Sequence, residues 1–351
     1  MSHHFGSLVS SRIRSRSQII TTGARGWAKP GIRAIGLGLL TLGLVVVVPL
    51  LAQIIGYGFP AAIAVPDDGS SLRSQMSTAS KPTLRPPNPQ LGDTLSVLIK
   101  KDHGSNLPSP QASPQITLGK KVYPAFPLKT INNATATWRA LIPTTPLDSP
   151  GAKQLVINHG NAASQSINFT LANREFPTQS LWIDDSGNGL EPTDAEWDQV
   201  SAFKRIVTPE KMWQGKFMRP NEGEITTGFG VRRYYNGVFA EDYYHRGVDY
   251  GGGYGSPVIA PAGGVVRLVG YVDQGFRLHG NTVGIDHGQG VLSIFLHLSK
   301  ITVQPGEAVA AGQMIGEVGS TGAATGPHLH WGLYVQGESV DPTPWRYGDI
   351  E

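Results

Sequence analysis

The chain has 351 residues, enough for two domains and a tail, and its 44 glycines and 26 prolines favour short strands joined by turns. It contains no cysteine, which excludes disulfides and thiolate metal sites, so only His, Asp or Glu can hold a metal. The net charge is +3, but residues 1–34 carry six Arg and Lys residues and no acid. Removing these six leaves −3 for residues 35–351, which argues against nucleic acid as a partner.

An apolar segment follows the basic tail. Residues 35–59 (IGLGLLTLGLVVVVPLLAQIIGYGF) carry no charge, and about 20 apolar residues span a bilayer. Basic residues before the segment and Asp67 and Asp68 after it predict a transmembrane anchor, with the remainder of the chain outside the cytoplasm. A cleaved signal peptide is the alternative, because residues 62–64 have a small-x-small pattern and cleavage near Ala64 would give a secreted protein.

Two segments of different character come next. Residues 66–90 are rich in Pro and Ser and are predicted to be a flexible linker. Residues 91–185 contain short strand-like runs separated by Pro, Gly and Asn, which predicts a small β-sandwich of the immunoglobulin-like kind, with unknown protein partners. Residues 92–95 resemble the start of a LysM glycan-binding module, but the helices that such a module needs are not indicated after them.

Residues 186–222 are predicted to be a helical connector. Thr193 and Glu196 form a capping-box signature at the start of a helix. Apolar residues then follow at helical spacing, and Pro209 ends the run. We expect this stripe to pack against a domain; it consists of Trp197, Val200, Phe203 and Val207.

Residues 223–346 form a second β-domain with a candidate metal site. In HRGVD, the residues His245 and Asp249 lie four apart, which places them on one face of either a helix or a strand. Gly247 and the glycines at 251–253 disfavour the helix. His330, near the far end of the domain, can supply a third ligand. Two histidines and one carboxylate suit a catalytic zinc ion that keeps its fourth position for water.

Two further histidines are candidates for the chemistry beside the metal. The sequence contains no H-E-x-x-H motif, so the usual glutamate base is missing. His328 lies two residues before His330, so both side chains point to one face of a strand. His297 alternates with Phe295 in SIFLHLS, which also places it on a strand face. Neutral imidazoles there can orient water, relay a proton and stabilise an oxyanion, so we predict His297 and His328 as catalytic residues.

The segment from about residue 222 to residue 346 resembles the lysostaphin-type (LytM-like) zinc metallopeptidases of bacterial cell walls. The motifs that carry this resemblance follow the family's order: HRGVD, GNTVGIDHG, FLHLS, GSTGAATGPHLHW and VDPTPW. By motif, the three metal ligands match His245, Asp249 and His330, and the two catalytic histidines match His297 and His328. Gly332 follows Trp331 where many members have Glu, and this departure leaves the ligands intact.

Three other residues of the domain are interpreted alongside this resemblance. Asn281 matches a family position near the site without a definite role. His287 recurs in the family within a strand and turn, so we interpret it as structural, and His279 receives no role. The tyrosines around HRGVD can line a groove, although tyrosines in β-domains usually pack.

The resemblance implies an all-β fold whose C-terminal part is a two-sheet β-domain with a groove. From the sequence patterns above, we expect a small β-sandwich-like domain and an N-terminal transmembrane helix to precede it. The resemblance also implies one Zn²⁺ ion and a zinc-dependent endopeptidase that hydrolyses peptide bonds in peptidoglycan stem peptides or cross-links. With the apolar segment as a membrane contact, the expected location is the cell envelope, anchored in the inner membrane with the catalytic domain outside the cytoplasm.

Three functional hypotheses stay open at this point. An active endopeptidase is favoured because all five matched residues are intact. A non-enzymatic regulator of other wall hydrolases would be indicated by lost ligands, which this sequence does not show. A structural or glycan-binding envelope protein with a vestigial metal site has only the LysM-like residues in its favour. The peptide bond that is cut is not evident from the sequence.

Overall fold

The structure, a computed structural model, describes residues 81–102, 113–128, 135–159, 163–182, 191–348 and 350. The tail, the apolar segment 35–59, most of the predicted linker and His103 lie outside these residues. Among the residues that are described, no helix is long and apolar enough to cross a membrane. Strands predominate and helices are few, which confirms the predicted all-β character.

The first part of the described chain is a β-sandwich. Its strands are β1 (Thr83–Arg85), β2 (Thr94–Asp102), β3 (Gln115–Leu118), β4 (Lys121–Pro124), β5 (Phe126–Leu128), β6 (Thr135–Pro143), β7 (Gly151–Asn158) and β8 (Gln165–Leu171). One sheet has the order β1-β2-β6-β5 and the other β4-β3-β7-β8. Alternate residues of each strand point inward, so that both sheets contribute to one buried core containing Leu95, Val97, Leu155 and Ile157.

The second part is built from two further sheets and a small ribbon. Its strands are β9 (Thr178–Leu181), β10 (Glu224–Thr227), β11 (Arg232–Tyr235), β12 (Val238–Phe239), β13 (Val248–Gly251), β14 (Pro257–Ile259), β15 (Gly264–Gly270), β16 (Asn281–Gly288), β17 (Val291–Leu298), β18 (Lys300–Ile301), β19 (Ala308–Val309), β20 (Met314–Glu317), β21 (Leu329–Val335) and β22 (Glu338–Val340). The large antiparallel sheet has the order β10-β13-β21-β17-β16-β15-β19, with β22 also paired to β21. The smaller sheets are β14-β20-β18 and β12-β11-β9.

The large sheet is covered on both faces. Phe295 and Trp331 point from one face into the main core, which also contains Val258 of β14 and Ile315 of β20. Leu292, Ile294 and Leu296 alternate with these residues and point to the opposite face. Because both faces are buried, the central strands β17 and β21 are apolar along almost their whole length.

Helix α1 (Asp194–Lys204) covers the second face of the large sheet. The predicted capping box is present, since Thr193 accepts a bond from the Glu196 amide and Glu196 accepts one from the Thr193 amide. Phe203 packs so closely that a Cβ on Gly284 of β16 would lie 2.8 Å from its ring. The prediction is wrong for Val207, which follows the helix and is 43% exposed. The described residues also include helix α2 (Thr343–Tyr347) and a 3₁₀ helix, Val272–Gln274.

The domain boundaries differ from the predicted ones at two points. Thr83–Arg85 lies within the predicted linker 66–90, yet it forms β1, pairs with β2 and packs Leu84 onto the sandwich core. Three residues are too few to show an apolar period, so composition alone suggested a linker. Strand β9 lies within the predicted sandwich range 91–185, but it pairs in parallel with β11 of the second part. The LysM resemblance is not supported, because residues 94–95 begin β2 between β1 and β6.

The sandwich and the second part pack against each other. Leu141 of β6 is buried in the main core, which also contains Trp213. The guanidinium of Arg139 lies 5.0 Å from the centre of the Trp213 ring and donates a 2.8 Å hydrogen bond to Gln289. Trp345 of α2 donates a 3.1 Å bond to Thr94 of β2. The sandwich is therefore part of the packing that supports the C-terminal sheets.

Candidate metal centre and active site

Three predicted ligands meet at one end of β13 and β21. The Oδ1 atom of Asp249 lies 3.1 Å from Nε2 of His245 and 2.9 Å from Nδ1 of His330. The two ring nitrogens lie 3.1 Å apart, and all three side chains are buried. Ligand atoms around a tetrahedral zinc ion, with bonds of about 2.0–2.1 Å, lie about 3.3 Å apart. The three atoms therefore have a spacing that one metal ion can satisfy.

The hydrogen bonds of His245 show why these atoms need a cation between them. Its Nδ1 lies 2.9 Å from the carbonyl oxygen of Gly228. Because a carbonyl oxygen only accepts, Nδ1 carries a proton, and in the neutral ring Nε2 then presents a lone pair. This lone pair faces the Asp249 carboxylate, which also only accepts when ionised. Since such a contact is repulsive without a cation, the donor set fits a metal ion.

The pKa shifts match the protonation states that metal ligands require. Burial alone would raise the pKa of Asp249, but His245 and His330, which donate hydrogen bonds to the carboxylate when a proton takes the place of the metal ion, outweigh burial and hold this pKa well below its ordinary value. Burial lowers the pKa of His330 to about 4, even though Asp249 opposes this shift. At neutral pH the site therefore presents an ionised carboxylate and a neutral His330 imidazole, as metal binding requires.

Strand register places the ligands, and a glycine leaves room for them. Asp249 of β13 lies directly opposite His330 of β21 in the antiparallel pair. A Cβ atom on Gly247 would lie 2.7 Å from Nε2 of His330 and 2.4 Å from the carbonyl oxygen of Trp331. The glycine of HRGVD is therefore needed because β21 and the His330 ring approach the backbone at this position.

The side chain of His297 lies at the same site because of a backbone irregularity that simple alternation did not predict. Alternation with Phe295 would place its side chain in the main core, on the face away from His330. Instead, the pairing of β16 with β17 shifts register between Asn281/Leu298 and Val283/Phe295, which is a β-bulge. His297 itself has a φ of 65°, rare for a non-glycine residue. This turns the ring to the ligand side, where its centroid lies 6.4 Å from that of His330.

His328 and His297 form a pair beside the ligands. Their ring centroids lie 4.8 Å apart. Nδ1 of His297 donates to the carbonyl of Thr321, and Nδ1 of His328 donates to the carbonyl of Gly326, both at 2.8 Å. In its neutral form each ring therefore has its lone pair on Nε2. Burial, followed by the neighbouring His328, lowers the pKa of His297 to about 3, so this ring is neutral at neutral pH.

The remaining predicted residues have structural contacts. The Asn281 side chain accepts from the Val272 amide and donates to the Leu298 carbonyl, so it braces the strand that carries His297. His287 is fully buried and bonds to Gly263 and Ser293, consistent with a structural role.

The tyrosines around HRGVD differ in exposure. Tyr244 and Tyr250 are buried, whereas Tyr254 is exposed. His159 contacts Gln165 in the sandwich, away from the ligands.

Sequence reasoning missed the backbone carbonyls that orient the imidazoles and underestimated one side chain. Thr321 and Gly326 lie in the GSTGAATGPHLHW motif and Gly228 lies outside the motifs, but all three act through backbone carbonyls, which their residue types do not indicate. Glu196 was interpreted only as a helix cap, but it also bonds to His279 and to the backbone around it. These contacts join residues more than eighty positions apart, beyond the reach of any local pattern.

Comparison with known proteins agrees with this site. Residues 243–342 match the model of the family described as Peptidase family M23. The peptidoglycan DD-endopeptidase ShyA of Vibrio cholerae is 42% identical over 186 residues, 52% of this chain and 37% of ShyA. The glycyl-glycine endopeptidase ALE-1 of Staphylococcus capitis is 36% identical over 123 residues, 34% of this chain and 33% of ALE-1. The chain thus spans less than two fifths of these relatives.

A solved structure extends the likeness beyond the matched family segment. A putative peptidase M23 from Pseudomonas aeruginosa is 26% identical, with a TM-score of 0.53, and covers 74% of this chain and 95% of its own. The five predicted site residues all fall within residues 243–342. Motif, ligand geometry and fold agree, and residues 243–342 therefore form a domain of peptidase family M23, of the lysostaphin (LytM) type.

Proposed function

We propose that this chain is a zinc-dependent endopeptidase that hydrolyses peptide bonds of peptidoglycan. The observation that carries the proposal is the convergence of His245 Nε2, Asp249 Oδ1 and His330 Nδ1 within 3.1 Å of one another. His297 and His328 lie directly beside them. The matched relatives named as peptidoglycan and glycyl-glycine endopeptidases support the same class of reaction.

Peptide-bond hydrolysis has two requirements that the histidines beside the ligands can meet. Hydrolysis needs a base that takes a proton from the attacking water and a donor for the developing oxyanion. The unprotonated Nε2 atoms of His297 and His328 can accept that proton, because Nδ1 of each ring is held by a carbonyl. Once protonated, the same nitrogen becomes a donor to the oxyanion or to the leaving amine.

Zinc is the ion that the ligand set favours, since two imidazoles and one carboxylate with an open position are typical of catalytic zinc. Bound zinc supplies a Lewis acid and lowers the pKa of its water to about 7. The chain contributes the buried ligands and the two oriented imidazoles. It also excludes competing thiolate chemistry, because it contains no cysteine.

We further propose that the bond cut is a D,D-peptide cross-link. ShyA, named as a DD-endopeptidase, matches 52% of this chain, whereas ALE-1, named for glycyl-glycine bonds, matches 34%. The match to ShyA therefore reaches beyond the family segment of residues 243–342.

The expected location is the cell envelope, with residues 35–59 anchoring the chain in the inner membrane. Fusing a reporter that is active only after export would test this orientation.

The central test is digestion of purified sacculi by the full-length chain loaded with zinc. We expect cross-linked muropeptide dimers to disappear and matching monomers to increase, as measured by mass spectrometry. Cleavage of pentaglycine bridges instead would contradict the D,D assignment. No cleavage by a folded, zinc-loaded chain would overturn the endopeptidase proposal and favour the non-enzymatic regulator.

Two variants separate metal binding from turnover in that assay. His330→Ala removes one ligand and is expected to abolish both bound zinc and cleavage. His328→Ala leaves the three ligands in place, so zinc content stays at one ion while the rate falls by about 10²–10⁴-fold, the usual contribution of a general acid or base. A His328→Ala variant with the wild-type rate would remove this residue from the mechanism.

A further inference from the structure

We propose that Glu196 of helix α1 is a positioning residue for His297, so that a helix outside residues 243–342 is part of the active centre. This inference rests on the proposed function, since it concerns how one of the assisting histidines is held. It starts from a fully buried carboxylate whose contacts exceed those of a helix cap.

The carboxylate of Glu196 accepts hydrogen bonds from one short loop. The backbone amides of Arg277, Leu278 and His279 donate to it at 2.9, 3.1 and 2.7 Å, and Nδ1 of His279 donates at 2.7 Å. The capping bond from the Thr193 amide is longer, at 3.3 Å. Helix capping alone would be satisfied by glutamine, whereas three convergent amides and an imidazole N–H favour an ionised carboxylate.

The loop that Glu196 holds is the one that contacts the backbone of His297. The carbonyl of His279 accepts a 3.0 Å bond from the His297 amide. His297 lies at the β-bulge with a φ of 65°, a conformation that persists only where several contacts enforce it. The His279 carbonyl is one of these contacts, and its position depends on the amides that Glu196 binds.

The same loop also supports the carbonyl that orients the His297 ring. The Thr321 carbonyl accepts the hydrogen bond from Nδ1 of His297. The hydroxyl of Thr321 donates a 2.9 Å bond to the Leu298 carbonyl and accepts a 2.9 Å bond from the Asn281 amide. The Ala323 amide donates to the Leu278 carbonyl at 3.0 Å. The two loops are so close that a Cβ on Gly280 would lie 2.4 Å from the Thr321 carbonyl oxygen. Displacing residues 277–279 would therefore move both carbonyls that hold His297.

The test compares Glu196→Gln with Thr193→Ala in the full-length chain. Glutamine keeps the shape but places an NH₂ group against backbone N–H donors, which pushes the loop away. Thr193→Ala removes the cap and its 2.9 Å bond to the Gly275 carbonyl but keeps the contacts of Glu196 with the loop. We expect Glu196→Gln to lower kcat on D,D-cross-linked muropeptides about 10- to 100-fold, with KM and zinc content unchanged. Thr193→Ala should lower only the thermal stability.

A second measurement does not depend on turnover. The Nδ1–H proton of His297, assigned by its absence in His297→Gln, should give a protected downfield signal in the NMR spectrum. We expect this proton to exchange with solvent at least about tenfold faster in Glu196→Gln and at the wild-type rate in Thr193→Ala. If Glu196→Gln does not fold, His279→Gln replaces it, and the same two effects are expected at smaller size.

The outcomes separate this inference from the proposed function. A Glu196→Gln protein with wild-type kcat and a protected His297 proton overturns the positioning role, whether or not its melting temperature falls. If the wild-type chain itself cleaves nothing, the proposed function fails, but faster exchange of the His297 proton in Glu196→Gln still supports the structural link. An equal loss of kcat in Thr193→Ala would also overturn it, because helix stability would then explain both variants.

Discussion

At the residue scale, the site depends on small features that fix the orientation of imidazoles. Each of His245, His297 and His328 donates Nδ1–H to a backbone carbonyl, so that Nε2 is the reactive or ligating atom. His330 differs, because its Nδ1 faces the other ligands. The identities of these residues were predictable from spacing and resemblance. Their tautomers were not, since the carbonyls that set them belong to residues with no chemical signal of their own.

Replacing Gly247 tests the close approach of β21 to the HRGVD motif. A methyl group there would lie 2.7 Å from the His330 ring and 2.4 Å from a backbone carbonyl. We expect Gly247→Ala to displace His330 and weaken zinc binding at least about tenfold, as measured by competition with a chelator. Gly253→Ala is the matched control, because a Cβ on Gly253 meets nothing within 4 Å. Equal zinc affinity in both variants would show that the crowding is relieved without moving the ligand.

The buried His287 predicts how stability depends on pH. Burial lowers its pKa from 6.5 to about 4 in the folded chain. Well above pH 6.5 this residue is neutral in both the folded and the unfolded chain and contributes no pH dependence. Between the two pKa values only the unfolded chain takes up the proton. Each unit by which the pH falls through this range therefore lowers the free energy of unfolding by roughly 1.4 kcal/mol through this residue.

Urea unfolding of the metal-free protein at several pH values measures this dependence. His287→Gln removes the titrating group, so its free energy of unfolding should fall less steeply between pH 6.5 and 4 than that of the wild type, even though the variant is less stable at pH 7. Parallel slopes for the two proteins would contradict a buried, neutral His287.

At the element scale, sequence patterns predicted the presence of helices and strands but not the places where their geometry becomes irregular. The capping box correctly placed the start of α1 at Thr193, because capping is a local arrangement of four residues. The bulge in β17 was missed, since period-2 alternation assumes a regular strand and His297 departs from it. The stripe on α1 was extended too far, because Val207 continues the apolar spacing after the backbone has left the helix.

The contrast between Phe203 and Val207 gives a direct test of how α1 packs. Phe203 is buried against Gly284 and the second face of the large sheet. We expect Phe203→Ala to lower the free energy of unfolding by about 3–5 kcal/mol, as is usual for a buried aromatic ring. Val207→Ala should change it by less than about 0.5 kcal/mol, because this side chain is exposed. Chemical denaturation of the two variants measures both values, and similar losses would restore Val207 to the buried stripe.

At the scale of the whole molecule, the sandwich is joined to the peptidase part more closely than the sequence indicated. The predicted boundary at residue 185 separated two β-domains, whereas β9 pairs with β11 and Leu141 enters the main core. Alternation predicts that a strand has a buried face, but it does not say which domain covers each residue. By sequence, Leu141 and Arg139 do not differ from other sandwich residues. In the structure, Leu141 lies in the main core, and Arg139 contacts Trp213 and Gln289.

This shared packing predicts that the described parts unfold together. In urea, loss of β-structure measured by circular dichroism and release of zinc measured with a chelating dye should coincide in one transition. Leu141→Ala should shift both signals to lower urea, by about 2–5 kcal/mol of unfolding free energy, although the residue lies in the sandwich and not near the ligands. Leu147→Ala, at a position 44% exposed in the same domain, should leave the transition unchanged. Because a sandwich that unfolds independently would lose its strands without releasing zinc, two separate transitions would show that the interface does not couple the two parts.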